Sequence, residues 1–250
     1  PDSNADRITR LIAHDPALTA RTLKLCNSAR FRGGQPVHDL QGAVLRLGFN
    51  QLYQVVAGLV GKQTVSGAQP GYGIGQGELW KHSAATAVAG KVLAPEVGLD
   101  ANLLFTAALL HDLGKLALNT ALHQRYDEVV AAIESTGRSF LEVEQELLGT
   151  DHARVGGRLL ERWNFPENLR EGIRFHHDPT RAGAHQRLAA GILLADMLSH
   201  LTGYGVGPFA FAVRAHPEIL PILNLGQQDI ERLIASTQTA ISEFELLKGG

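Results

Sequence analysis

Apolar residues recur at intervals of three and four along most of this chain, and no stretch alternates apolar with polar residues for a useful strand length. The pattern predicts an all-α protein. Asp15-Pro16 reads as an N-cap followed by proline in the first helical position, opening a helix to about residue 28. Asp39 opens a second helix, which stops at Gly48. Asn50 caps a third, in which Leu52, Val55, Val56, Leu59 and Val60 share a face. These make a small N-terminal helical lobe over residues 1–62. From Gly61 to Gly77 six of seventeen residues are glycine and the apolar period fails, so residues 63–77 are expected to be a linker or loop. Its Gly71-x-Gly73-x-Gly75-x-Gly77 run follows no strand and fits no nucleotide fingerprint.

Residues 78–250 return to helical spacing and read as a second, larger helical unit. A helix from Glu78 stops at Pro95, and Asp100 caps the next, whose apolar run through Leu109-Leu110 ends in His111-Asp112. Another is expected to continue to Gly137. Ser139-Phe-Leu-Glu142 is a capping box, Asp151 opens an amphipathic stretch to Trp163, and Pro166 begins a helix that leads into His176-His177. Two more are expected, from His185 to about Leu201 and from Gln227 to Leu247.

Composition narrows the class. With 250 residues, 44% of them hydrophobic, the chain can bury one large core or two modest ones. Its one cysteine, Cys26, sits in an apolar helical context, which excludes a disulfide framework and a thiolate metal site. A net charge of −2 and a pI near 6.7 lack the basic field that nucleic-acid binding needs, so nucleic acid is not expected as a partner. No run approaches the roughly 20 apolar residues of a membrane span. The start, Pro1-Asp-Ser-Asn-Ala, carries no signal of the charged-then-apolar kind, and a cytoplasmic location is expected.

His-Asp occurs four times, at His14, His38, His111 and His177, but only His111-Asp112 closes a run that must be buried. Its polar pair therefore needs partners. Glu78 and His82, four apart, share one helix face; His176-His177 repeats the paired arrangement; His152 starts a helix; and Asp196 interrupts the apolar Ile192–Leu198 stretch. Five imidazoles and three carboxylates suit two divalent ions of iron, manganese or zinc, with Asp112 bridging them. Lys115, one turn on, is a candidate phosphate anchor that would hold departing charge. Taken singly, most have a plainer reading: Glu78 as a first-turn acid, Lys115 as a helix-end lysine, His82 and His152 as surface histidines and His176-His177 as a solvated helix end, while Asp196, central in an apolar stretch, resists one. His200, four residues after Asp196, is either an outer partner of that carboxylate or a surface residue, and the surface reading is preferred.

The order His82, His111-Asp112, Asp196 resembles the HD superfamily of metal-dependent phosphohydrolases, and Glu78, His152 and His176-His177 resemble its HD-GYP branch. Asp15-Pro-Ala-Leu18, Leu25-Cys-Asn-Ser28, Val37-His-Asp-Leu-Gln-Gly-Ala43, Leu47-Gly48, Trp80-Lys-His-Ser83 and Asp178-Pro179 narrow the likeness to the HDOD domain, an HD-related output domain of bacterial signalling proteins. The resemblance implies an HD-type helical bundle with a small N-terminal lobe. It also implies a divalent metal centre, a nucleotide or other phosphorylated ligand, and a signalling protein partner. The chain lacks the Gly-Tyr-Pro element of HD-GYP enzymes after His177, which argues against hydrolysis of a cyclic dinucleotide. Two alternatives remain, an active phosphohydrolase and a scaffold with a vestigial cluster.

Overall fold

The computed structural model describes residues 16–28, 35–43, 45–47, 67–207 and 217–246. Asp15, the expected third helix beginning at Asn50, and the loop before residue 67 lie outside them. Among the described residues there are eleven α-helices and no strand, as the periodicity predicts. They are α1 (Pro16–Cys26), α2 (Glu78–Leu93), α3 (Ala101–Leu110), α4 (Leu113–His123), α5 (Tyr126–Thr136), α6 (Phe140–Leu148), α7 (His152–Arg162), α8 (Glu167–Arg174), α9 (Gln186–Ser199), α10 (Ile219–Leu223) and α11 (Gln227–Leu246).

Local chemistry sets most of the boundaries. Asp100 Oδ1 accepts the Leu103 N–H at 2.8 Å, Ser139 and Glu142 form a reciprocal capping box, and Asp151 Oδ1 accepts the Arg154 N–H at 2.8 Å. The single helix expected up to Gly137 is two, α4 and α5. The chain breaks at Gln124-Arg125, where the Arg125 guanidinium donates to the carbonyl of Leu147 at 2.8 Å and ties the start of α5 to the end of α6. No glycine or proline marks that break, so the periodicity ran through it.

Helices α2 and α9 form the centre. α9 is buried at every position from Leu188 to Asp196, and α2 is rich in alanine, so neighbouring helices approach closely. α2 packs on α3, α9 and α11, while α7 packs on α4 and α8. The main core runs through these elements and includes Leu93, Leu104, Leu110, Leu160, Ile173 and Leu193, all fully buried. A second apolar cluster joins α4, α5 and α6 through Leu122, Val129, Ile133 and Val143. The end of the glycine-rich segment belongs to it. There Gln69 and Ile74 pair across a tight turn, the Gly71 N–H donates to Asn119 Oδ1 at 2.9 Å, and Tyr72 is buried.

Near the N-terminus, the Asn27 side-chain amide pairs with both backbone groups of Val37, each at 2.8 Å. Asp39 Oδ1 accepts the Gly42 N–H at 2.7 Å and caps the helical turn over 40–43. Among the described residues, no helix is long and apolar enough to cross a membrane.

Candidate metal centre

Two kinds of position bring the candidate residues together. His82 and Asp196 lie within the central helices α2 and α9, both buried. The others lie at helix ends. His111 closes α3 and Asp112 begins the turn into α4, so the two residues, about 100° apart on an unbroken helix, turn into one space at the break. His152 is the first residue of α7, and His176-His177 follow the end of α8.

Gly114 makes this possible. A Cβ there would stand 1.9 Å from the His152 carbonyl oxygen and 2.9 Å from the Gly156 nitrogen. The first turn of α4 therefore rests directly on the backbone of α7, and that contact brings Asp112 to His152.

The imidazoles share one orientation. Nδ1 of His82 lies 2.8 Å from the Tyr204 carbonyl, that of His111 lies 2.7 Å from Ala108, and that of His176 lies 2.7 Å from Ile173. A carbonyl only accepts, so each Nδ1 carries a proton, and a ring in its neutral form keeps its lone pair on Nε2. His152 is held alike, with Nδ1–H donating to Glu144 Oε2 at 2.8 Å. Such outward hydrogen bonds fix metal-ligating histidines in place.

The Nε2 atoms converge on two carboxylates. Asp112 Oδ2 lies 3.6 Å from His82 Nε2 and 3.4 Å from His111 Nε2, whereas its Oδ1 lies 3.4 Å from His152 Nε2. Asp196 Oδ1 lies 3.1 Å from His82 Nε2 and 3.7 Å from His111 Nε2. His152 and His177 meet through their Nε2 atoms at 2.9 Å. Metal bonds of about 2.1 Å place neighbouring ligand atoms roughly 3.0 Å apart in an octahedron and roughly 3.4 Å apart in a tetrahedron. The separations observed, 2.9 to 3.7 Å, lie within about 0.3 Å of this range. The donors divide into His82, His111 and Asp196 on one side and His152, His176 and His177 on the other, with Asp112 and His176 close enough to His111 to form a third overlapping group. One oxygen of Asp112 thus faces each side.

Charge and satisfaction point the same way. Asp112, Asp196 and Glu144 are buried carboxylates, and Lys115, whose Nζ donates to Asp112 Oδ2 at 2.6 Å, is a permanent cation beside them. Protons on histidines or a bound divalent cation must balance the remainder. Burial works against the charge of Asp112, yet His111, Lys115, His152 and His82 hold its carboxyl well below the usual range. For Asp196 burial is likewise outweighed, by His200 and His82. Burial, with His111 and His152 alongside, pushes His176 down to about 3, so its ring stays neutral. Among the described residues its Nε2 has no hydrogen-bond partner, and buried Asp196 Oδ1 faces the Nε2 atoms of His82, His111 and His200, the condition a metal relieves. The residues present fit a divalent transition-metal centre.

Seven of the eight ligand candidates therefore meet, and Glu78 stands apart. It is exposed, and its carboxylate accepts the Gly75 N–H at 2.7 Å, closing the turn before α2. The i, i+4 spacing gave it the face of His82, but one helical turn of about 5.4 Å carries it out of the cavity. Two residues join instead. His200, placed at the surface on sequence, is buried with Nε2 3.3 Å from Asp196 Oδ1. Glu144 is wholly buried and holds His152 through both its ring and its backbone N–H. Above the centre lies a cavity of about 530 Å3, lined among others by Asp112, Lys115, His152, His177 and Phe175.

A helical bundle that gathers His82, His111-Asp112 and Asp196 in one buried centre is the arrangement that the HD-type resemblance implies. The HDOD domain model matches residues 1–179, and the chain belongs to that family. It is similar to a protein of Treponema pallidum (strain Nichols), with 29% identity covering 98% of this chain and 46% of that one. The chain thus spans less than half the length of this relative. Among solved structures it is similar to the MmoQ response regulator from Methylococcus capsulatus str. Bath, with TM-score 0.66, 25% identity, and coverage of 94% of this chain and 90% of that one. An HDOD domain protein of Geobacter sulfurreducens shares the fold at TM-score 0.51 and 23% identity, over 98% of this chain and 83% of the other.

Proposed function

We propose that this chain is a signalling HDOD module whose His/Asp centre holds two divalent transition-metal ions, binds a nucleotide or other phosphorylated small molecule, and regulates a partner protein. The observation that carries the reading is the shared orientation of four imidazoles, each anchored at Nδ1 and presenting Nε2 toward Asp112 or its neighbours. His82, His111 and Asp196 would hold one ion, His152, His176 and His177 the other, and Asp112 would serve both. Divalent ions in such a site polarise phosphoryl oxygens and acidify water. Lys115 extends from the same turn as Asp112 to the cavity lining, so its cation is available to a phosphate oxygen once the carboxylate is shared with metal.

Calorimetry with the manganese-loaded protein and adenosine 5′-monophosphate tests this. Binding that requires metal and weakens about tenfold or more in Lys115→Ala supports it. Absence of metal-dependent binding for this and other phosphate ligands would leave the scaffold reading.

The convergence of Asp112 with three imidazoles also favours the second reading, an active phosphohydrolase. Turnover of bis(p-nitrophenyl) phosphate at roughly 1 per second or faster would establish it.

A further inference from the structure

A smaller cavity of about 370 Å3 opens beside the first, and the two share Arg154, Arg174, Phe175 and Arg181 in their linings. Arg158 completes a set of four guanidinium groups around it, and no carboxylate among the described residues lines it.

The cluster is assembled from three elements. Arg154 and Arg158 share a face of α7 by their i, i+4 spacing. Arg174 ends α8, and Arg181 comes from the turn between α8 and α9. A Cβ on Gly157 would lie 2.7 Å from Arg174 Cβ and 3.0 Å from its Nε, so the absent side chain lets Arg174 lie against α7.

Carboxylates steady the arginines. Glu161 bonds Arg158 at 3.2 Å and Arg174 at 3.1 Å, Glu171 bonds Arg174 at 2.9 Å, and Asp151 bonds Arg154 at 3.2 Å. Arg181 reaches Asp178 at 4.0 Å and lies 5.4 Å from the centroid of Phe175. Their residual donors suit the oxygens of a phosphate better than any single point charge would.

We infer that this arginine-lined cavity is a second anion subsite, taking one phosphate of a small molecule whose other phosphoryl group lies at the His/Asp centre. The ligand class is then a compound with two separated phosphates. The inference rests on the phosphate reading of that centre, and the test separates the two.

Adenosine 5′-monophosphate and adenosine 3′,5′-bisphosphate, which differ by one phosphate, are titrated into manganese-loaded and metal-stripped protein at low and high salt. The expected result is at least tenfold tighter binding of the bisphosphate to loaded wild type. Arg154→Ala with Arg181→Ala abolishes that gain, weakening the bisphosphate by at least tenfold more than the monophosphate. Both positions are partly exposed, and a melting curve checks that the double variant folds; Arg158→Ala, more exposed still, gives a smaller loss in the same direction. Arginine-dependent bisphosphate binding that is indifferent to metal would support the subsite while removing the phosphate role of the His/Asp centre. Equal affinities for the two nucleotides, or equal losses for both in the double variant, would overturn the subsite.

Discussion

Glu144 and His152 are bonded twice through a single oxygen, with Oε2 accepting the backbone N–H of His152 at 2.9 Å and its ring Nδ1–H at 2.8 Å. The other oxygen accepts the Tyr72 hydroxyl at 2.6 Å, so one carboxylate fixes a histidine of the centre and the tip of the glycine-rich segment.

Removing Glu144 therefore loosens His152 without touching a ligand atom. Glu144→Ala is expected to weaken metal binding about 10–100-fold, with Glu144→Gln, which keeps an acceptor, falling between it and wild type. Calorimetric titration with zinc reads this directly, and identical affinities in all three proteins would refute the positioning role.

Gly114→Ala is expected to be far more damaging than its size suggests. The added carbon would meet the His152 backbone oxygen at 1.9 Å, and backbone on both sides leaves no flexible side chain to yield. A loss of about 3 kcal/mol or more should appear in urea unfolding. His123→Ala, at an exposed helix end, should change stability by less than about 0.5 kcal/mol. Comparable stability for the two variants would contradict the packing described.

Cys26 supplies a pH test away from the centre. Burial pushes its thiol from 9.0 up to about 11, with Arg46 working in the opposite direction. The folded state thus favours the neutral thiol, a contribution fully present below the ordinary thiol range and lost as pH rises from about 9 through about 11. At pH 8, iodoacetamide should label the urea-unfolded chain quickly and the native chain barely. Equal rates would show that Cys26 is accessible.

The caps at Asp100, Ser139 and Asp151, and the polar residues stranded in apolar runs, were legible because each creates a local demand: a free N–H to satisfy or a buried charge to pair. Glu78 misled because spacing fixes a face but not the depth of a turn along it. Glu144 gave no signal, since α6 also carries Glu142 and Glu146, and nothing local distinguishes the acid that turns inward. His200 had the right spacing to Asp196. Its burial depends on the turn from His200 to Tyr204, whose Tyr204 carbonyl also receives His82. Such long-range closures are set by packing, not by periodicity.

The central claim is that these side chains form a two-ion centre with Asp112 between the ions, and elemental analysis of protein purified after exposure to iron, manganese and zinc tests it most directly. The account predicts close to two divalent transition-metal ions per chain in wild type and fewer than one in Asp112→Ala. Wild-type protein that retains no transition metal, or an Asp112→Ala variant that retains as much as wild type, would contradict it.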